Sequence, residues 1–516
     1  MKKEKIYMYL SIAKGAFTGM LLLVMLMASC VKDTGNYTYS DINTLTFSDF
    51  DVVQGYQALF GHNFKVNPTV TASDSRYADA DNYTYEWSLR LGSSSAPPLR
   101  DSILSRDKTL NITIGMSPGT YTLQYKVKDK NTGVQFQQRT NLTVTTEVYE
   151  GFLVLSDVGN GARLDMLSYD LKAEKFNPYM DVLQKMNANL SLKGQPYQVL
   201  AMQYTNANIT PKNYGIFVAT SEGTTRLDQE TLNPAPNGNL RYLFVGNVPT
   251  DFAPQRLMGE LTFGVYPMML SYNSGNVYMY ATLGGYAFKY SPLNVYNSTG
   301  VPFKLSRHFV SNGTISVFYN EDAKRFVQAS SYTATELTNV AASYNYPQGY
   351  DLIYMGKDYN NKAFAVLKDP ATQKYWLMRF TIGSAQNYLQ ELLGDGIEQA
   401  TAFALSPEWG YLFYNAGAKV YEYDLALQQS KLMLDKGNSR ISFLGFQNFY
   451  IRLSRNNPNY KDWANQLLVG SYDPQADGKS NGSLEMYSVP PVNGPIQKLR
   501  SWAGFGKIVS VAYRER

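Results

Sequence analysis

One cysteine in 516 residues leaves no disulfide to close within the chain. Histidine is almost as scarce: His62 and His308 stand alone, too few for a zinc triad and without the close His/Glu spacing of metal-hydrolase helices. An apolar run long enough to cross a bilayer is missing, since Ala16 to Met27 falls short of the roughly 20 residues required. An excess of charge is missing as well. Setting aside residues 1–29 removes Lys2, Lys3, Lys5, Lys14 and Glu4, leaving 43 basic against 41 acidic residues, a net of +2. Nucleic acid is excluded as a partner on that balance, because phosphate contacts need a clear basic surplus.

What is present begins with an export signal. Lys2, Lys3 and Lys5 precede the apolar segment, and small residues Ala28 and Ser29 lead into Cys30. An unpaired thiol in an oxidising compartment is a liability that acylation removes. "LMASC" resembles the lipobox of bacterial lipoproteins, with Met27 where Leu is usual. That resemblance implies lipidation of Cys30, a signal peptide over 1–29, a tether over 30–43 and membrane attachment through lipid alone. Asp33, close behind the anchor, resembles retention and surface-export signals of Gram-negative lipoproteins, which implies the outer membrane and exposure to the exterior.

Residues 44–147 alternate with a period of two. "YTYEWSL" sets Tyr83, Tyr85, Trp87 and Leu89 on one face, and "GTYTLQYKVKD" does so with Tyr121, Leu123, Tyr125 and Val127. "DKNTG" (Asp129 to Gly133) reads as a hairpin turn. Short strands with turns about every ten residues predict a β-sandwich with an immunoglobulin-like core. From residue 148 to 516 short strands recur without a long helical stretch. Those starting at Gly151, Tyr214, Asn276, Lys324, Lys362, Gly410 and Gln466 give seven units at a repeat near 50, the size of a propeller blade. "GKIVSVAYR" at the end is expected to pair with the first blade and close the ring. Two short helices are expected in loops, at Tyr179 to Asn187 and Asn387 to Gly394. The fold class is therefore all-β, an immunoglobulin-like sandwich followed by a β-propeller of about seven blades.

The "Y-x-W" and "G-x-Y-x-L" strands resemble PKD-like domains (polycystic-kidney-disease repeats). Together with the lipobox and "YEGFLVLSDVGNGARLDML" (Tyr149 to Leu167), they resemble PKD-like family lipoproteins of gut commensals. That resemblance implies partners, namely a SusC/SusD-type outer-membrane importer barrel and its lid lipoprotein. It implies an accessory role in nutrient uptake, with a peptide or an oligosaccharide as ligand.

Catalytic motifs are sparse. "GMSPG" (Gly115 to Gly119) has the spacing of a nucleophile elbow, yet a strand follows where a helix is needed, so Ser117 reads as a hairpin residue. The alternative function is a glycosidase-like propeller hydrolase with paired carboxylates, drawn from Asp165, Glu260, Asp351, Glu408 and Asp424. No cofactor is expected; acidic turns at Ser73 to Asn82 and Asp473 to Gly482 offer calcium at most. Aromatic residues in turn-rich segments remain as ligand-binding candidates: Tyr344, Tyr346, Trp409 and Trp463.

Overall fold

The computed structural model describes residues 43–91, 100–116, 118–170, 173–204, 214–262, 266–282, 289–296, 298–329, 334–336, 346–384, 386–449 and 458–515. Cys30, Ser117 and Tyr344 lie outside them. The chain divides into two compact units. One comprises Asn63–Ile112, Tyr121–Leu142 and the described chain up to Tyr56; the other runs from Thr143 onward and takes in Gln57–His62 and Thr113–Thr120.

The N-terminal fold is a sandwich. Its larger sheet orders the strands Tyr56–Leu59, Gln135–Thr145, Gly119–Asp129, Tyr83–Leu91 and Arg100–Ser105. Two strand pairs complete it, Leu45–Ser48 with Thr69–Ala72 and Asn63–Val66 with Leu110–Thr113. Alternation fixes which side is buried: Trp87, Leu123, Tyr125 and Val127 are fully enclosed. Trp87 stacks on Tyr125 with centroids 4.3 Å apart and donates its indole N–H to the Asp107 carbonyl (3.1 Å), so its polar edge is satisfied inside the core. The Asp129 turn forms as expected, with its carboxylate accepting from the Asn131 and Thr132 amides.

Among the described residues the second unit is a propeller of seven sheets. Blades 2 to 7 are antiparallel meanders in chain order. They begin with Pro196–Gln203, Arg256–Thr262, Val310–Ser311, Asp351–Lys357, Phe403–Leu405 and Arg440–Gly445. First strands touch between blades 2 and 3 and from blade 4 through blade 7, and Lys507–Arg514 touches those of blades 2 and 7. It therefore acts as the first strand of blade 1, where it pairs with Gly151–Asp157 ahead of Ala162–Asp170 and Lys175–Tyr179. Apolar clusters fill the gaps in cyclic order: between blades 7 and 1, 1 and 2, 2 and 3, through 3, 4 and 5, then 5 and 6, and 6 and 7. Burial on both faces explains strands such as Tyr214–Thr220 that are enclosed throughout and do not alternate.

Each of the seven strands read from the sequence belongs to a different blade. The uneven spacing has a simple cause. In blades 3 and 4 the recognised strand is the third, while elsewhere it is the second. Second strands start at Gly151, Tyr214, Tyr266, Ser316, Lys362, Leu412 and Gln466, a more even series.

Two local readings change. A helix does form at Val182–Lys185, but Gln386–Glu391 is the outer strand of blade 5, paired with Tyr375–Thr381. Leu, Gln and Glu favour helix there, and the open edge of the blade overrides that preference by accepting a fourth strand. A helix that the sequence reading missed spans Pro458–Ala464, with Tyr460, Trp463 and Ala464 on its buried side. Proline at its start and the i, i+3, i+4 spacing are the signals for it.

Gly151 opens blade 1 at φ +142°, and a Cβ there would lie 1.9 Å from the Leu167 carbonyl oxygen. Gly151→Ala must displace a paired strand, so it is expected to cost about 3 kcal/mol or more. A urea titration measures this, and a midpoint within error of the parent would refute it.

Candidate ligand-binding face

In a four-stranded meander, the turns between second and third strands share one end of the propeller with the connections between blades. On that end, across blades 6 and 7, lie two adjoining depressions of ≈ 480 and ≈ 460 Å³ that share Gln399 as a wall. The first is lined by Lys419, Tyr421, Asp435 and Asn438, the second by Thr401, Arg440, Tyr472 and Gln475.

The floor of this groove is fixed before any ligand arrives. Asn415 is buried, and its Oδ1 accepts from the Thr401 and Ala402 amides (2.9 and 2.8 Å) while Nδ2 donates to the Thr401 hydroxyl (3.1 Å). The turn at Ile397–Gln399 starts from Gly396 at φ +69° and is held by the Tyr414 hydroxyl donating to the Asp395 carbonyl (3.0 Å). On the opposite wall the Lys436 amide donates to the Ala418 carbonyl (3.0 Å), and the Lys436 ammonium is bound to Glu485 and Tyr487. Above this floor the ends of Gln399, Lys419, Asp435, Asn438, Arg440 and Gln475 are exposed. They offer amide, cationic and anionic groups beside the ring of Tyr472. Among the described lining residues Asp435 is the sole carboxylate, so the groove holds no acid pair.

The residues singled out in the sequence lie elsewhere. Trp409, 39% exposed, sits in the turn between the first and second strands of blade 6, at the other end of the propeller. Tyr346 is 7% exposed, packs against Phe326 and Phe380 and donates its hydroxyl to the Ser384 carbonyl (2.7 Å). Trp463, 4% exposed, packs among Tyr169, Phe176, Tyr460 and Tyr513 between blades 7 and 1. Tyr346 and Trp463 are thus core residues, whose rings are taken up by inter-blade packing and present no face to a ligand.

Nor are the five carboxylates brought together. Asp165 is fully buried in a two-point fork with Arg163 (2.7 and 2.9 Å); burial nonetheless raises its pKa, against the pull of that guanidinium. Glu260 pairs with Lys357 at 2.6 Å, Asp351 pairs with Lys324, and Glu408 accepts from the Asn465 side chain. Asp424 caps a turn by accepting from the Ala426 and Leu427 amides. His308 lies beside Arg256 (Nδ1 to guanidinium, 3.5 Å), and burial, then the Arg256 and Arg307 charges, hold its pKa well below the usual histidine value. It is a neutral packing residue. His62 pairs with Glu147 at 3.2 Å. In the two acidic turns the aspartates cap their own loops: Asp74 binds Arg76, Asp79 accepts from the Asp81 amide, and Asp473 accepts from the Gln475 amide. Among the described residues no group of three His, Cys, Asp or Glu side chains is arranged around a metal site.

Residues 30–196 match the PKD-like family. The PKD-like match runs past the sandwich, through all of Gly151–Asp157, Ala162–Asp170 and Lys175–Tyr179, up to the start of blade 2 at Pro196. No curated protein matches the chain. Among solved structures, a quinonprotein alcohol dehydrogenase-like protein from Bacteroides thetaiotaomicron VPI-5482 is similar at 12% identity. The likeness covers 90% of this chain and 99% of that one, with a TM-score of 0.44. The extracellular domain of a hybrid two-component system from B. thetaiotaomicron follows at 11% identity over 59% of this chain and 34% of that one (TM-score 0.33). A prolyl endopeptidase structure is similar at 10% identity over 70% and 52% (TM-score 0.30). At these identities no residue of this chain inherits a role.

The groove was not legible in the sequence. Its residues come from four separate turns, each of which reads as ordinary Gly, Asn and Asp turn chemistry.

Proposed function

We propose that this protein is a non-catalytic binding protein, anchored by lipid at Cys30 to the outer membrane and facing the exterior. It captures a polar ligand, an oligosaccharide or a peptide, in the groove across blades 6 and 7. The observation that carries the reading is that groove: a floor already satisfied by Asn415, exposed amide and charged ends above it, and one carboxylate where hydrolysis would need two. Tyr472 supplies a flat ring for stacking. Service to a SusC/SusD-type importer rests on the sequence resemblance, and lipid confinement beside a transporter would raise the effective concentration of captured ligand.

Screening glycan and peptide libraries against the parent chain and an Arg440→Ala/Tyr472→Ala double variant tests the binding site. A ligand held in the groove should lose about tenfold or more in affinity, with a stability loss of only about 1 kcal/mol because Arg440 is exposed and Tyr472 is half-buried. Equal binding by parent and variant would remove the groove from the reading. Affinity purification from native outer membranes, with protease shaving of intact cells, tests the anchor and partner. A chain that purifies alone and resists protease would overturn the importer role.

A further inference from the structure

Glu422, in the third strand of blade 6, is fully buried, and neither of its carboxylate oxygens has a hydrogen-bond partner. Alternation along Lys419–Asp424 sets Val420, Glu422 and Asp424 on one side of the blade and Tyr421 and Tyr423 on the other. Val420 packs into the cluster between blades 6 and 7, so both acids face that interface. Lys431, on the adjoining strand, is exposed and forms no ion pair with Glu422 among the described residues.

Further oxygen-bearing groups adjoin Asp424. Asp424 uses Oδ1 for the Ala426 and Leu427 amides (2.7 and 3.1 Å), and its Oδ2 is met by Asn493 Nδ2 at 3.3 Å. Asn493 comes from the turn after the third strand of blade 7, and its own Oδ1 is buried without a partner. Turning that amide over would present the oxygen to the acids. The Tyr411 hydroxyl donates to the Pro491 carbonyl at 2.9 Å, and the charges of both Asp424 and Glu422 reach that phenol. A buried carboxylate without a partner is costly, and the cost is removed either by a proton or, in the charged form, by a bound cation.

We infer that Glu422, Asp424 and the Asn493 side-chain oxygen form a site for a hard divalent cation of the calcium class, with Tyr411 and Pro491 at its rim. Two carboxylates balance the ion's charge, and the remaining donors are neutral oxygens, the set such ions select over zinc. Asn493 is half-buried beside exposed Val492, so the approach lies through the turn of blade 7. An ion held there would bridge blade 6 to blade 7.

The probes are terbium, whose luminescence is excited through nearby tyrosine, and calcium, added to the chelator-stripped full chain. In the parent, terbium binding should saturate, calcium should displace it, and calcium should raise the melting temperature. Glu422→Gln, which replaces the charge with an isosteric amide, should weaken binding by about tenfold or more and abolish the thermal response. Asp424→Asn, which keeps the turn acceptor, should weaken binding in the same direction. A parent melting temperature unmoved by millimolar calcium, or a Glu422→Gln chain that binds as the parent does, would overturn the site and leave Glu422 a neutral buried acid.

Discussion

In chelator, the parent chain should lose about 3 kcal/mol of stability between pH 4.5 and pH 8 relative to Glu422→Gln. Burial, reinforced by the Asp424 charge and opposed by Lys431, pushes the Glu422 carboxyl up to about 7, from 4.5 in an unfolded chain. Below 4.5 both states hold the proton and the group is neutral in its energetic effect. Between 4.5 and about 7 the unfolded chain releases a proton that the folded chain keeps, so stability falls as pH rises. Above 7 the folded chain must carry a buried charge, and the penalty is complete. Glutamine has no proton to lose, so the variant should be the more stable chain at pH 8 and no different at pH 4. The groups facing Glu422 are Asp424 and Lys431 in its own blade, and Tyr411 at the strand edge. All three are common to both chains, so the difference between the two pH profiles isolates Glu422. Urea midpoints at pH 4, 6 and 8 measure it, and parallel profiles would show that the acid is not paying a burial cost. Calcium at pH 8 should lift the parent towards the variant if the ion site is occupied.

How much of this was legible in the chain depends on whether neighbours in sequence or neighbours in space carry the signal. The period of two along Tyr83–Leu91 and Gly119–Asp129 needed only local reading, and it placed Trp87, Leu123, Tyr125 and Val127 inside correctly. The seven blades were countable because each has at least one strand apolar on both faces. The closing strand was legible because an unpaired edge at Gly151–Asp157 demanded one. Aromatics misled. Trp463 sits in a polar stretch, "NYKDWANQ", and looks exposed until the helix Pro458–Ala464 turns it towards Tyr513. Glu422 shows the converse. "KVYEYD" looks like a strand with a wet face, and the acid is enclosed only because blade 7 packs over that face. The groove demanded the most, since it exists only where turns of two blades meet.

Removing Lys507 onward should cost the propeller more than any single substitution, because the last strand binds three blades at once. It supplies the ladder to Gly151–Asp157. The Tyr513 amide donates to Gln447 of the loop after the first strand of blade 7 (2.9 Å), and the Tyr513 carbonyl accepts from Tyr214 of blade 2 (3.1 Å). Arg514, fully buried, donates to the Val148 and Gln229 carbonyls. The Tyr513 hydroxyl donates to Glu150 at 2.8 Å, and Tyr460 donates to the same carboxylate. Truncation opens the edge of blade 1, uncovers the clusters on both sides of it and strips Glu150 of a donor. The loss should exceed the roughly 5–15 kcal/mol by which a domain is stable, leaving amides of blades 1 and 7 unprotected from hydrogen exchange. A graded version keeps the chain folded. Tyr513→Ala should cost about 3–5 kcal/mol, whereas Tyr388→Ala, on the half-exposed outer strand of blade 5, should cost about 1. The two tyrosines are of one size and differ both in burial and in place: Tyr513 is fully enclosed on the closing strand, and Tyr388 is half-buried on an outer one. Equal costs would mean that stability is spread evenly over the blades and that the closing strand has no special hold on it.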